Sequence, residues 1–177
     1  MISTLRRIAA VSLISVMAFS GAALAQQGQP KLTKKTTHGD WDIVCVEGTE
    51  VCRMEQYGKD EKGEPILLVR IERVKGASVK GQPFPSVISM LVPLGVLLPA
   101  MSAKIDAGEP KLLPFERCLA NGCFAASPMI EETVTSLKKG NKMLVEFRRG
   151  RVFSIPISLR GFTKAYNSLK PIPANQG

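Results

Sequence analysis

The sequence predicts a mainly β domain: an antiparallel β-sandwich, or a small barrel-like sandwich, carrying two short helices and two hairpin disulfides. Three observations point to it. Seven or more short runs alternate apolar and polar residues with a period of two. Gly- and Pro-rich turns separate those runs. Four cysteines fall in two closely spaced pairs, Cys45 with Cys52 and Cys118 with Cys123.

Ahead of the alternating runs, Arg6 and Arg7 precede an apolar stretch from Ile8 to Phe19, and Ala23-Leu24-Ala25 supplies a small-residue cleavage pattern. Residues 1–25 therefore read as a Sec-type signal peptide cleaved after Ala25. The stretch is shorter than the roughly 20 apolar residues of a spanning helix. The other long apolar run, Val87 to Met101, is broken by Pro93, Gly95 and Pro99, so the mature chain is expected to carry no transmembrane span. About 152 of the 177 residues remain after cleavage, enough for one domain around a single core. Gln26 to Thr37 is polar, basic and aperiodic, and reads as a disordered leader over 26–37, followed by the β domain at 38–170 and a tail at 171–177.

The first predicted strand carries Trp41, Ile43 and Cys45 on one face, with Trp41 as a core anchor. A second holds Met54 to Tyr57, and the hydrophilic run Gly58 to Gly63 turns into a third with Leu67, Val69 and Ile71 inward. Val87 to Val92 and Val96 to Leu98 read as two strands around the turn Pro93-Leu94-Gly95. Ile105 closes another strand at Asp106-Ala107-Gly108. Leu112 to Cys118 follows, with Pro114 requiring an edge position or a bulge. Met143, Val145 and Phe147, then Phe153, Ile155 and Ile157, complete the set. The first helix is expected to start with Ser127 as cap and Pro128 in its first turn, with Ile130, Val134 and Leu137 as its stripe and Lys138-Lys139-Gly140 as its end. The second carries Phe162, Ala165, Tyr166 and Leu169 and stops before Pro171.

An even number of cysteines in an exported chain implies disulfides. Each close pair brackets a turn, and residues facing across a hairpin lie within bridging range, so Cys45 pairs with Cys52 and Cys118 with Cys123. In the chain-entropy account such small loops contribute roughly 2 to 2.5 kcal/mol each. Spacings of six and four residues suit zinc poorly.

Cleavage removes two arginines and no acid, so the balance of 24 Lys+Arg to 15 Asp+Glu becomes 22 to 15, a formal charge of +7. Such a charge favours anionic partners and also keeps a soluble protein dispersed. The densest basic feature is Lys138, Lys139, Lys142, Arg148, Arg149 and Arg151, six cations in fourteen residues around the expected tip of the last hairpin. Catalytic chemistry finds little material. The mature chain has one histidine, His38, read as a boundary residue. There is no G-x-S-x-G elbow, no phosphate-binding glycine loop and no metal-ligand pattern, so neither catalytic residues nor a cofactor is assigned.

The order of motifs is more specific than any one of them: Gly39-Asp40-Trp41 leading to Cys45 and Cys52; Pro93-Leu94-Gly95-Val96-Leu97-Leu98-Pro99; Cys118 to Cys123 around Asn121-Gly122; and Ser158-Leu159-Arg160-Gly161-Phe162. This order resembles the invasion-associated locus B family across His38 to Leu169. The sequence departs from the family pattern at Met101, where a glycine is expected. The resemblance implies a small, mainly β exported protein of alphaproteobacteria, in a family named for a member linked to host-cell invasion, and it supplies no catalytic residues. The expectation is an exported, non-enzymatic periplasmic or secreted protein that contacts a protein or an anionic envelope or host surface, not cytosolic nucleic acid. The alternatives are an envelope hydrolase with an unrecognised acidic site and a structural envelope or stress component.

Overall fold

The computed structural model describes residues 31–97 and 99–174. The expected signal peptide, residues 26–30 of the leader, Leu98 and residues 175–177 of the tail lie outside them. The elements in chain order are β1 (Leu32–His38), β2 (Trp41–Val46), β3 (Cys52–Lys59), β4 (Pro65–Lys75), β5 (Ser78–Val79), β6 (Gln82–Pro83), β7 (Ser86–Val92), β8 (Ala100–Ile105), β9 (Lys111–Leu119), β10 (Gly122–Met129), α1 (Glu131–Lys139), β11 (Lys142–Arg149), β12 (Arg151–Ser158), α2 (Phe162–Ser168) and β13 (Ile172–Pro173).

One antiparallel sheet runs β1-β2-β3-β4-β7-β10-β9-β8-β11-β12, with β13 added in parallel to β4; β5 and β6 form a separate ribbon. The sheet folds back on itself until β12 lies over β3, where Ile155 and Ile157 fill the space above Gly58; a Cβ on that glycine would sit 2.5 Å from the Ile155 Cγ2 atom. The fold is thus the mainly β, antiparallel architecture expected, with both sandwich faces drawn from one ribbon of strands.

The bend is visible in the register. β9 and β10 pair only from Phe115↔Ala125 to Leu119↔Gly122, with a shift at Phe124/Ala125. Beyond it, Ala126 to Met129 pair with β7 alone and Lys111 to Pro114 with β8 alone. Pro114 has no N–H to give, and it stands just past the last β9–β10 pair. A register break, and not a sheet edge, accommodates it.

The core follows the alternation: Trp41, Met54, Val69, Met90, Ala125, Val145 and Ile157 are all at or near 0 % exposure. Phe162, Ala165, Tyr166 and Leu169 are buried as one stripe of α2 and its C-terminal flank. Tyr166 sends its hydroxyl 3.2 Å to the buried Ser86 hydroxyl, so neither polar atom is stranded in the core.

Four local expectations are corrected. The leader does not reach residue 37, because β1 pairs with β2 from Leu32↔Val46 to His38↔Trp41. An edge strand is held by main-chain hydrogen bonds and needs no apolar stripe, and Thr33, Thr36 and Thr37 favour extended backbone. The tail likewise begins in order, with Ile172 opposite Val74. Val96 and Leu97 form no strand: Pro93 and Pro99 remove donors on either side, and Leu97 N–H bonds instead to the Arg148 carbonyl at 2.7 Å. Finally, Ser127 and Pro128 lie in β10 opposite Ile88 and Val87, and α1 begins at Glu131 with Ile130 as a residue that provides no side-chain cap. The apolar demand of the sheet outweighs the capping preference. Met101, the position where the family pattern leads to a glycine, is buried in β8 opposite Leu113.

Candidate functional site

The two cysteine pairs face each other directly, Cys45↔Cys52 across β2–β3 and Cys118↔Cys123 across β9–β10, and both are disulfides. All four thiols are consumed, which removes any thiol nucleophile.

The structure divides the six cations into two groups. β11 carries Met143, Val145 and Phe147 inward, and at ~3.3 Å per residue its length puts Lys142 and Arg149 about 23 Å apart. Lys138, Lys139 and Lys142 stand at its foot. Lys138 there is engaged, with Nζ 4.7 Å from the Tyr166 ring centre. Arg148, Arg149 and Arg151 stand at the tip, where the chain reverses at Gly150.

That tip is tied to the loop between β7 and β8. Arg149 donates from Nε to the Leu94 carbonyl at 2.7 Å, and the Arg148 carbonyl accepts from Leu97 N–H. Arg151 lies 4.5 Å over the Phe153 ring and 3.7 Å from a Glu61 carboxylate oxygen. Phe153 in turn stacks on the buried Phe147 at 5.4 Å. Among the described residues no carboxylate lies within 4.0 Å of the Arg148 or Arg149 guanidinium. Sequence reasoning identified these arginines but missed their neighbours: Leu94, Leu97 and Val152 are 46 %, 55 % and 50 % exposed around them. The signal available was the bracketing of the loop by Pro93 and Pro99, which disqualifies it as a strand and so as a buried one.

A second region takes shape where two distant motifs meet. Arg160 grips Asp40 in a two-pronged ion pair, Nη2 to Oδ1 at 2.6 Å and Nε to Oδ2 at 3.1 Å. Trp41 donates from Nε1 to the Ser158 carbonyl at 3.0 Å and meets the Phe162 ring edge-on at 5.4 Å. Gln56 reads the same strand end, donating to the Asp40 and Ser158 carbonyls and accepting from Ser158 N–H. This junction is structural chemistry: its hydrogen bonds join Asp40, Gln56, Ser158 and Arg160 to one another within the fold.

An apolar cleft of about 270 Å³ opens where β9 and β10 part, lined by Ile88, Met90, Leu113, Met129, Leu137 and Met143 among others, with Lys111 the one charged group among its described lining residues. Among the described residues no cluster of three or more His, Cys, Asp or Glu is placed to hold a metal. No described helix is long and apolar enough to cross a membrane.

The family model for the invasion associated locus B (IalB) protein matches residues 41–170, a span that holds both disulfides, the arginine tip and most of the Asp40–Arg160 junction. The chain belongs to the invasion associated locus B family. Two relatives described as invasion protein B homologs, from Brucella abortus strain 2308 and from Brucella abortus biovar 1 strain 9-941, are each 28 % identical over 147 residues, covering 79 % of this chain and 81 % of the relative. The crystal structure of invasion associated protein b from Bartonella henselae shares the fold, with a TM-score of 0.61 at 20 % identity over 77 % of this chain and 96 % of that one. In this chain the junction seats the Gly39-Asp40-Trp41 segment on the Ser158-Leu159-Arg160-Gly161-Phe162 segment.

Three aspartates tie parts of the fold together and are held below the ordinary carboxylate range. Hydrogen bonds from Arg160 and Ser158 lower Asp40. Burial pulls Asp42 upward, but the 2.7 Å contacts from Lys34 and Thr37 outweigh it. Asp106 is lowered by the main-chain N–H groups of Asn141 and Lys142, which it accepts at 3.0 to 3.2 Å. A carboxylate with a depressed folded pKa contributes stability above its unfolded value and loses it as pH falls through the folded one. Thermal melts should therefore hold steady from neutral pH down to the ordinary aspartate value of 3.8 and then fall steeply. Asp106→Asn should flatten part of that acid limb; an unchanged limb would show that Asp106 is not one of the titrating groups.

Proposed function

We propose that this chain is an exported, non-enzymatic protein of the periplasm or cell exterior that works by contact with an anionic envelope or host surface, using the arginine tip of the β11–β12 hairpin. One observation carries the reading: Arg148 and Arg149 project from a tip that is anchored by two hydrogen bonds to the β7–β8 loop, and neither has a carboxylate beside it among the described residues. Arg149 is positioned by its Nε bond to Leu94, and neither guanidinium is neutralised by a carboxylate among the described residues, which leaves their charge for an external anion. Export is supported by the signal-like residues 1–25 and by two disulfides, which persist in oxidising compartments. The names of the relatives, invasion protein B homologs, add a host-facing context.

Each cation near an anionic surface is worth about 1 kcal/mol, so three together weaken or strengthen contact by roughly a hundredfold. The test is recovery from envelope extract by immobilised protein, comparing the wild type with Arg148→Glu/Arg149→Glu/Arg151→Glu. All three side chains are exposed, so the variant should fold, and its melt would verify that. Loss of the recovered material is the expected result. If every recovered partner and lipid signal is unchanged, the tip is the wrong face.

A further inference from the structure

The arginines are only half of that tip. We propose that the occupant of this face is an anionic phospholipid bilayer, with Leu94 and Leu97 seated at the headgroup–acyl boundary while Arg148 and Arg149 hold lipid phosphates; this rests on the tip being the contact face, as argued above.

Four features favour a bilayer over other anions. First, the side chains at this end are of two kinds: Val152 pairs with Arg148, the Leu94 carbonyl receives Arg149, Leu97 N–H bonds to the Arg148 carbonyl, and Leu94, Leu97 and Val152 are about half exposed. An interface that offers phosphate above and hydrocarbon below satisfies both kinds at once. Second, the aromatic side chains that would stack on nucleic-acid bases are withdrawn, with Phe147 buried and Phe153 covered by Arg151. Third, part of the loop's main chain is already provided for within the protein. Pro93 has no donor, Leu97 N–H is taken by the Arg148 carbonyl and the Leu94 carbonyl is taken by Arg149, and an unsatisfied main-chain group is what membrane interiors penalise. Fourth, arginine stems can lie along apolar surface while the guanidinium stays at the phosphates.

The neighbouring turns fit the same orientation. β10 starts beside the end of β7, since a Cβ on Gly122 would collide with the Val92 carbonyl oxygen. That places the β9–β10 turn, with Leu119 at 56 % exposure, next to the β7–β8 loop. Glu61 sits on the opposite flank near Arg151, and its charge limits how far that flank approaches. The domain would therefore stand on the bilayer tilted toward Leu94, Leu97 and Leu119.

The test is co-sedimentation of the mature protein with phosphatidylcholine vesicles and with vesicles that also contain phosphatidylglycerol, at low and high salt. Binding to the phosphatidylglycerol vesicles is expected, with part of it surviving high salt. Arg148→Glu should weaken it roughly five- to tenfold, and Leu94→Ser/Leu97→Ser roughly tenfold or more with complete loss of the salt-resistant part. If the leucine pair binds like wild type while Arg148→Glu is weakened, contact is electrostatic only: insertion is overturned and the contact face survives. If wild type ignores both vesicles but still recovers envelope material through its arginines, the bilayer is overturned in favour of a protein or glycan. If neither variant changes either assay, insertion and the contact face fall together.

Discussion

Gly161→Ala should destabilise the domain by roughly 3–5 kcal/mol, enough to leave a domain of ordinary stability marginal or unfolded. Gly161 sits at φ 85°, where an added Cβ carries a cost of about 1–2 kcal/mol by itself. The larger part comes from contact, because the new atom would collide with the His38 carbonyl oxygen and lie 2.5 Å from the His38 carbonyl carbon and 2.8 Å from the Gly39 Cα. All three are backbone atoms that cannot rotate away. Gly63→Ala is the matched control: its φ is 83°, yet nothing lies within 4 Å of its Cβ position, so it should cost only the conformational share. Urea unfolding of the two variants separates strain from collision. Equal losses would mean that the Gly39–Gly161 approach is not as close as the structure places it.

Trp41→Ala should cost roughly 3–5 kcal/mol as well, the range for removing a large aromatic from a packed core. Trp41 is 0 % exposed and has Phe162 against it. Its indole N–H also answers the Ser158 carbonyl, although Gln56 donates to the same oxygen at 3.1 Å and would keep it satisfied. The loss should therefore be mainly one of packing, and Trp41→Phe should recover most of it. Pairing Trp41→Ala with Phe162→Ala in a double-mutant cycle should give a coupling of about 0.5–1.5 kcal/mol. Additive losses would show that the edge-on ring contact carries nothing beyond buried area. Circular dichroism is the right readout, since the variants remove the only tryptophan.

How much of this could be read from the chain depended on whether the cause was local. The inward faces of β2, β4, β11 and β12 follow from alternation, and the cysteines pair as spaced because each pair closes its own hairpin. The α2 stripe is equally local. β1 was invisible because Leu32–His38 has only Thr33 and His38 half-buried; its strand character comes from main-chain bonds to β2, which leave no hydrophobic trace. Ser127 and Pro128 carry a helix-start signal that the pairing of β10 with β7 overrides. At the site, six cations adjacent in sequence are separated because strands are long objects: seven steps along β11 span most of the domain. Leu97 reads as a strand residue because it lies in an apolar run, while Leu94 falls in the Pro93-Leu94-Gly95 turn, and only the flanking prolines argue against the strand. The Asp40–Arg160 pair spans 120 positions, and no local rule reaches that far.

The same separation sets an order of events. Trp41 lies in the first hairpin of the domain, yet its burial needs Phe162, and the turn at Gly39 closes only against Gly161. A chain emerging from its N-terminus can form β1, β2 and β3 early, but their shared floor stays wet until the last helix arrives. A truncation just before Arg160 would remove few strands and still deprive the first hairpin of its lid. The N-terminal part is thus built as a waiting template, so the domain reaches its final form only when nearly the whole chain is present.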